Sequence, residues 1–274
     1  YVLIAVYIMG LYNNRIVVKV GTSTLTNDAG KSDLRTTDRL ACVLSDIQNM
    51  GYEVILVSSG AIAVGRNKLN MTSKPDSMRM KQAAAAVGQC SLMYLYDKFF
   101  GDYDKTVAQI LLNAEDMEQE EKKENLINTF NALLEMGVIP IVNENDSVSY
   151  KEIESEDRLF GDNDMLSAVV SVLCRAKHLV IFSDIDGFYD HDPRLYPNAK
   201  LIEQIDTIDD SVYALAGGAG SRRGTGGMRT KLQAAALATS QGTNTIVTNG
   251  KHPEALYDII KGGKVGTLFP GKIG

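Results

Sequence analysis

A chain of 274 residues that is 45% hydrophobic can bury a substantial core, and 34 acidic against 28 basic residues leave it with a net charge of −6. That charge, with no tryptophan and few clustered aromatics, excludes a broad electrostatic or base-stacking surface for nucleic acid. Cys42, Cys90 and Cys174 show no CxxC spacing, which points to a reducing, cytoplasmic setting rather than a disulfide framework.

In chain order, Tyr1 to Met9 is apolar but far shorter than the ~20 residues that span a bilayer. It also lacks the basic flank and small-residue cleavage site of a secretory signal. Residues 1–14 are therefore expected to be an N-terminal extension of uncertain origin, an extra strand or appended sequence, ahead of a single domain over 15–274. Ile16 to Val20 predicts a buried strand that ends at Gly21. Leu40, Val43, Leu44, Ile47 and Met50 fall at helical spacing, with Thr36 or Thr37 as the expected cap and Gly51 as the stop. Val54 to Val57, Val107 to Leu112, Val138 to Val142, Leu179 to Phe182 and Thr245 to Val247 predict further strands, most of them separated by helical patterns. Short β-branched runs alternating with helices predict an α/β fold with a mainly parallel sheet. Pro140 stands against a central strand at Val138 to Val142, because it removes a ladder donor. The acidic run Glu115 to Glu124 reads as a solvated helix face. His178, His191 and His252 are too scattered for a histidine metal site or triad.

Chemistry is concentrated in the glycine turns. Gly224-Thr225-Gly226-Gly227-Met228-Arg229-Thr230-Lys231 opens a helical pattern; glycines let backbone N–H groups approach an anion, and a helix start adds unpaired N–H groups and a positive dipole end. Lys231 supplies a mobile positive charge, matched far upstream by Val18-Lys19-Val20-Gly21-Thr22-Ser23. Neither is a Walker loop: Gly30-Lys31-Ser32 has the right ending, but Leu25 stands where the first glycine should be. Either turn alone is more often a plain loop, so the weight falls on the ordered set. That set adds Val57-Ser58-Ser59-Gly60, Asn143-Glu144-Asn145-Asp146, Gly161-Asp162-Asn163-Asp164 and Ser183-Asp184-Ile185-Asp186-Gly187. From about Arg15 to Phe269 it closely resembles the amino acid kinase superfamily and, within it, the glutamate 5-kinase family. Acetylglutamate kinases and aspartokinases typically carry a second glycine at the position of Thr22.

The resemblance implies a three-layer αβα sandwich with a mainly parallel central sheet, ATP as phosphoryl donor with Mg²⁺ on its phosphates rather than in a protein cage, and L-glutamate as acceptor. The N-terminal part would bind glutamate and the C-terminal part ATP. Lys19 and Lys231 would face the transferring phosphoryl group, organised by Asp164, whose plainer reading is an N-cap for a helix beginning near Met165. Lys19, Ser183, Asp184, Thr225, Gly226, Gly227, Met228, Arg229, Thr230 and Lys231 would contact the nucleotide. Ser59, Asn143, Asp146, Asp162 and Asn163 would contact glutamate, with Asp146 pairing its ammonium. Ser149 to Phe160 is longer than the family pattern and is either a lid or a loop without a catalytic role. A homo-oligomer, feedback inhibition by proline, no nucleic-acid or membrane partner, and a short form without a C-terminal PUA domain complete the expectation. Rival readings are a kinase for another small acid such as N-acetylglutamate, and a non-catalytic nucleotide-binding regulator.

Overall fold

Strands covered on both faces must be apolar at consecutive positions, as residues 16–18 and 54–57 are; the strands are β1 (Arg15–Lys19), β2 (Glu53–Val57), β3 (Val107–Leu112), β4 (Ile139–Glu144), β5 (His178–Ser183), β6 (Asn244–Asn249) and β7 (Thr267–Phe269). The computed structural model describes residues 14–27, 31–148, 163–216 and 227–272. Within them the strands form one sheet of order β3-β4-β2-β1-β5-β6-β7. Every adjacent pair is parallel except β6 and β7. The six strands predicted from sequence are all present, with ends shifted by a residue or two; β7, three residues long, is too short to show a period.

Between the strands lie α1 (Thr22–Leu25), α2 (Leu34–Asn49), α3 (Ala61–Lys68), α4 (Met78–Gly101), α5 (Glu120–Glu135), α6 (Asn163–Leu173), α7 (Asp210–Ala216), α8 (Met228–Ser240) and α9 (Ala255–Ile260). Alternate side chains of each strand sort them into two layers. Val17, Ile55, Val57, Leu179 and Ile181 pack with Phe130, Leu166 and Leu232 of α5, α6 and α8. Ile16, Val18, Val54, Leu56, Val180 and Phe182 pack with Leu44, Tyr96 and Leu256 of α2, α4 and α9. The result is the expected αβα sandwich. From β1 the chain passes through α2 on one face to β2; from β5 it passes through α8 on the opposite face to β6. The carboxyl ends of β1 and β5 therefore open into a crevice where connections diverge, the usual ligand position of open α/β sheets.

Pro140 is accommodated without a lost ladder bond. Ile139 donates its N–H to Thr106 on the β3 side at 2.9 Å, and alternate residues of a parallel strand address opposite neighbours, so the missing donor of Pro140 faces β2. The β2 ladder opens only at Leu56 opposite Ile141, one residue later. Two local expectations are corrected. Helix α2 starts before Thr36, because Asp33 is its N-cap and accepts from the Thr36 N–H at 3.0 Å. The acidic run is not one helix face: Ala114–Met117 is a 3₁₀ turn and α5 begins afresh at Glu120. The N-terminal extension, apart from Asn14, and the whole 149–160 connection lie outside the described residues.

Helices α3 and α4 cross at backbone distance. A Cβ on Gly65 would stand 1.7 Å from the Ala84 carbonyl oxygen, and one on Gly88 1.7 Å from that of Ala61. Hydrogen at both glycines is what lets α4 pin the N-terminal end of α3 to the sheet. No helix among the described residues is long and apolar enough to cross a membrane.

Candidate active site

Lys19 follows Val17 by two residues, so its side chain leaves β1 on the face covered by α6 and α8. The first turn of α6 supplies Asp164, and the fourth residue of α8 is Lys231. Lys19 Nζ lies 2.5 Å from Asp164 Oδ1, and Lys231 Nζ lies 2.9 Å from Asp164 Oδ2. All three are removed from water, with exposures of 4%, 0% and 6% for Lys19, Asp164 and Lys231. Burial by itself would raise the pKa of this carboxyl and favour protonation; the two ammonium groups overcome it and hold Asp164 below the ordinary carboxylate value. Thr230 Oγ1 adds a hydrogen bond to Oδ2 at 3.0 Å. The helix begins at Asn163 rather than near Met165. Asp164 is therefore inside the first turn, and its carboxylate oxygens are engaged by the lysines and Thr230. A negative charge at this end of α6 also suits the helix dipole.

Beside this cluster, β2 ends in Ser58-Ser59-Gly60. Gly60 has φ +91° and precedes α3, a left-handed conformation that glycine adopts without strain. Ser58 is held from below by Tyr96, with hydroxyl oxygens 2.8 Å apart. Asn163 closes the turn from above: its Nδ2 has three acceptors in reach, the Ser58 carbonyl at 2.6 Å, Ser59 Oγ at 2.9 Å and Asn143 Oδ1 at 3.0 Å, and shares its two hydrogens among them. Asn143, the fifth residue of β4 and 1% exposed, accepts from the Glu144 N–H at 2.9 Å and donates to Gln89 at 2.8 Å. Ser59, Asn143 and Asn163 thus form one hydrogen-bonded group immediately next to Asp164. The donors of Asn163 are spent inside the protein, which leaves Oδ1 as the group it can present to a ligand.

Asp146 stands apart from that group. It lines a cavity of about 440 Å³ with Ala61, Gln89, Cys90, Glu144 and Ser147, and burial raises its carboxyl to about 6. Ser183 and Asp184 sit at the carboxyl end of β5, on the far side of the crevice; Ser183 is buried, and its hydroxyl reaches Asp184 Oδ1 at 3.3 Å. Asp186 is occupied by Asn249 at 2.8 Å and Tyr189 at 3.2 Å, so this segment is tied into the fold. Gly227 precedes α8, and Met228, Arg229 and Thr230 form its first turn; Arg229 is exposed. Of the residues singled out in the sequence, Asp162, Thr225 and Gly226 lie outside the described residues. Tyr96 and Gln89, on α4, escaped sequence reading because they sit in a helix without a motif.

The amino acid kinase family model matches residues 14–249. Glutamate 5-kinase of Clostridium perfringens (strain 13 / Type A) is 55% identical over 262 residues, spanning 96% of this chain and 97% of that protein. Glutamate 5-kinase of Listeria innocua serovar 6a is 50% identical over 260 residues, spanning 95% and 94% respectively. Among solved structures, carbamate kinase from Giardia lamblia bound to AMP-PNP is similar with a TM-score of 0.66 at 15% identity, over 95% of this chain and 99% of that one. At that identity the likeness is one of fold.

Proposed function

The chain belongs to the amino acid kinase family, and from that premise we propose that it transfers the γ-phosphoryl group of ATP to the side-chain carboxylate of L-glutamate. The product is L-glutamyl 5-phosphate, and the reaction opens proline biosynthesis. The observation that carries this reading is the pair of buried lysines, 212 positions apart in sequence (231 − 19), drawn onto one carboxylate at the crevice end of the sheet. Buried like charges repel, and their convergence fits a site built to receive phosphate.

Among the described residues, a Cβ on Gly227 would meet nothing within 4 Å, and one on Gly21 nothing nearer than Lys19 Nζ at 3.7 Å, which supports close approach of phosphate to both turns. The positive dipole end of α8 at Gly227 suits the same anion. When bound, ATP supplies the phosphoryl group, and Mg²⁺ on its phosphates supplies further positive charge. The acceptor needs no general base, because a glutamate side chain with pKa about 4.3 is already ionised at neutral pH. A carboxylate oxygen forms the new bond to phosphorus while the bond to the bridging oxygen breaks, ADP leaves with that electron pair, and no proton is transferred. What the protein must overcome is repulsion between anions. Lys19 and Lys231 do this by neutralising the transferring group, and Asp164 fixes where they stand. On the acceptor side, Asp146 takes the ammonium, and Ser59, Asn143 and Asn163 hold the turn against which the amino acid lies. Ser183 and Asp184 take the nucleoside end of ATP.

Proline shares with glutamate an ammonium and a carboxylate on one carbon, so it competes for the same pocket. Inhibition at several glutamate concentrations tests this: an effect that glutamate cannot overcome would place proline at a separate site. The main test is ADP formation with a panel of free and acetylated amino acids. Turnover with L-glutamate and not with N-acetylglutamate is expected; preference for the acetylated acid would overturn the substrate, and turnover with none would leave a nucleotide-binding regulator.

A further inference from the structure

The cavity beside Asp146 poses a problem of charge. Glu144 and Asp146 line it, and no lysine or arginine is among its described lining residues, so among these residues the donors available to an entering α-carboxylate are neutral N–H groups. Gln89 is the lining residue whose amide orientation the surrounding network dictates. The backbone N–H of Glu144 can only donate, so the Asn143 atom 2.9 Å from it is oxygen. Nδ2 of Asn143 must then be the atom directed at Gln89, and Gln89 must answer with its carbonyl, 2.8 Å away. That leaves the Gln89 Nε2 hydrogens turned from Asn143 and without a partner among the described residues. The backbone carrying Gln89 cannot retreat, since the preceding residue is Gly88, in contact with the Ala61 carbonyl of α3.

Building on the glutamate kinase reading, we propose that Gln89 determines specificity for the amino acid: Nε2 donates to the substrate α-carboxylate while Asp146 takes the ammonium, and Oε1 holds Asn143 and, through it, Asn163. One side chain thereby links recognition of the zwitterion to the turn beside Asp164. It explains why a residue of helix α4, remote from every glycine loop, is tied into the site.

Gln89→Glu tests the donor role directly, because it keeps an oxygen for Asn143 Nδ2 and replaces the N–H donor by a negative charge. The glutamate KM should rise about 10- to 100-fold, the scale of a lost hydrogen bond to a charged group, while the ATP KM stays within twofold and kcat within about threefold. Gln89→Met removes both amide functions; it should raise the glutamate KM similarly and also lower kcat, because Asn143 Nδ2 then lacks its acceptor. The sharper readout is 4-aminobutyrate, which is glutamate without the α-carboxylate: the preference for glutamate over it should shrink in Gln89→Glu by the same factor as the KM rises. An unchanged glutamate KM or an unchanged preference in either folded variant overturns the proposal. Thermal melts and the ATP KM identify a folded variant, and the two substitutions differ enough in charge for one to serve if the other unfolds. Wild-type protein inactive on glutamate would refute the proposed function, whereas active wild type with unaffected Gln89 variants would refute this inference alone.

Discussion

Replacing Asp164 by Asn removes one charge and almost no volume, which makes it the cleanest probe of the site. The native carboxylate is 0% exposed and stands 2.5 and 2.9 Å from two ammonium groups that are themselves 4% and 6% exposed. Asp164→Asn strands both ammoniums where water hardly reaches, and breaking a buried pair from one side costs about 3–5 kcal/mol. An unfolding entropy of roughly 2.1 cal/mol/K per residue gives ~0.6 kcal/mol/K for a chain of this length, so Tm should fall by about 5–9 °C. ATP returns negative charge to the same two lysines. Saturating ATP should therefore raise the variant's Tm by more than it raises that of wild type, and kcat should drop roughly 10²-fold or more, as when charge aimed at a reacting group is lost. The pH dependence has a definite sign. Burial pushes Asp164 toward protonation but the lysines hold it below the usual value; a depressed carboxylate stabilises the fold above its unfolded pKa of about 4 and loses that contribution as pH falls through the folded value. The deficit of the variant should thus be level from about pH 5 to pH 8 and shrink only in acid. Calorimetry with and without ATP, beside a coupled ADP assay, measures all of this. A variant within ~1 °C of wild type that keeps its kcat would refute the view of Asp164 as the counter-charge that organises both lysines.

Lys19→Ala and Lys231→Ala should each lower kcat about 10²-fold with smaller changes in either KM, because the charge acts most on the transition state; near-normal turnover in steady-state assays would count against both. Asp146, raised to about 6 by burial, must be ionised to hold an ammonium, so kcat/KM for glutamate should decline below about pH 6 while the ATP KM stays flat. Its raised value also means that the carboxyl costs stability as pH climbs from its unfolded pKa of about 4 through 6. Asp146→Asn should then melt higher than wild type at pH 7–8 while its glutamate KM increases, and an effect confined to ATP would show that the residue belongs to the other pocket. Gly88→Ala would drive a Cβ to 1.7 Å from the Ala61 carbonyl oxygen. Backbone pressed on backbone should cost more than the ~1–3 kcal/mol of ordinary overpacking, and urea titration returning under about 1 kcal/mol would mean that α3 and α4 separate freely.

The parallel strands were legible because burial on both faces writes Ile, Val and Leu at adjacent positions, as in Val17, Val18 and Ile55, Leu56. Strand β7 has no such run, and Pro140 argued against a strand whose register makes it harmless. The lysine pair was legible only through the order of the glycine turns, since nothing local ties residue 19 to residue 231. Gly65 and Gly88 carry no periodic signal; inside a helix a glycine reads as a weak former, and only the crossing shows why it is required. Asp33 was passed over for Thr36 and Thr37 because the apolar stripe starts a turn later than the helix. Gln89 and Tyr96 lie on α4, whose contribution to the site is made of two side chains separated by two helical turns, a pattern that motif reading does not detect.

Strand β1 has β2 on one side and β5 on the other, and these partners arrive at very different times during synthesis. Glu53–Val57 follows Arg15–Lys19 closely, but His178–Ser183 comes more than 150 residues later, an interval of roughly 10–30 s at the usual rate of translation. Throughout it, the second edge of the most central strand is open, flanked by side chains at Ile16, Val17 and Val18 that end up wholly buried. Such an edge is a template for pairing with another chain. The nascent N-terminal half is therefore the vulnerable species of this protein. Chains that stop short of β5 keep that edge exposed, and self-association rather than a smaller stable domain is the outcome expected of them.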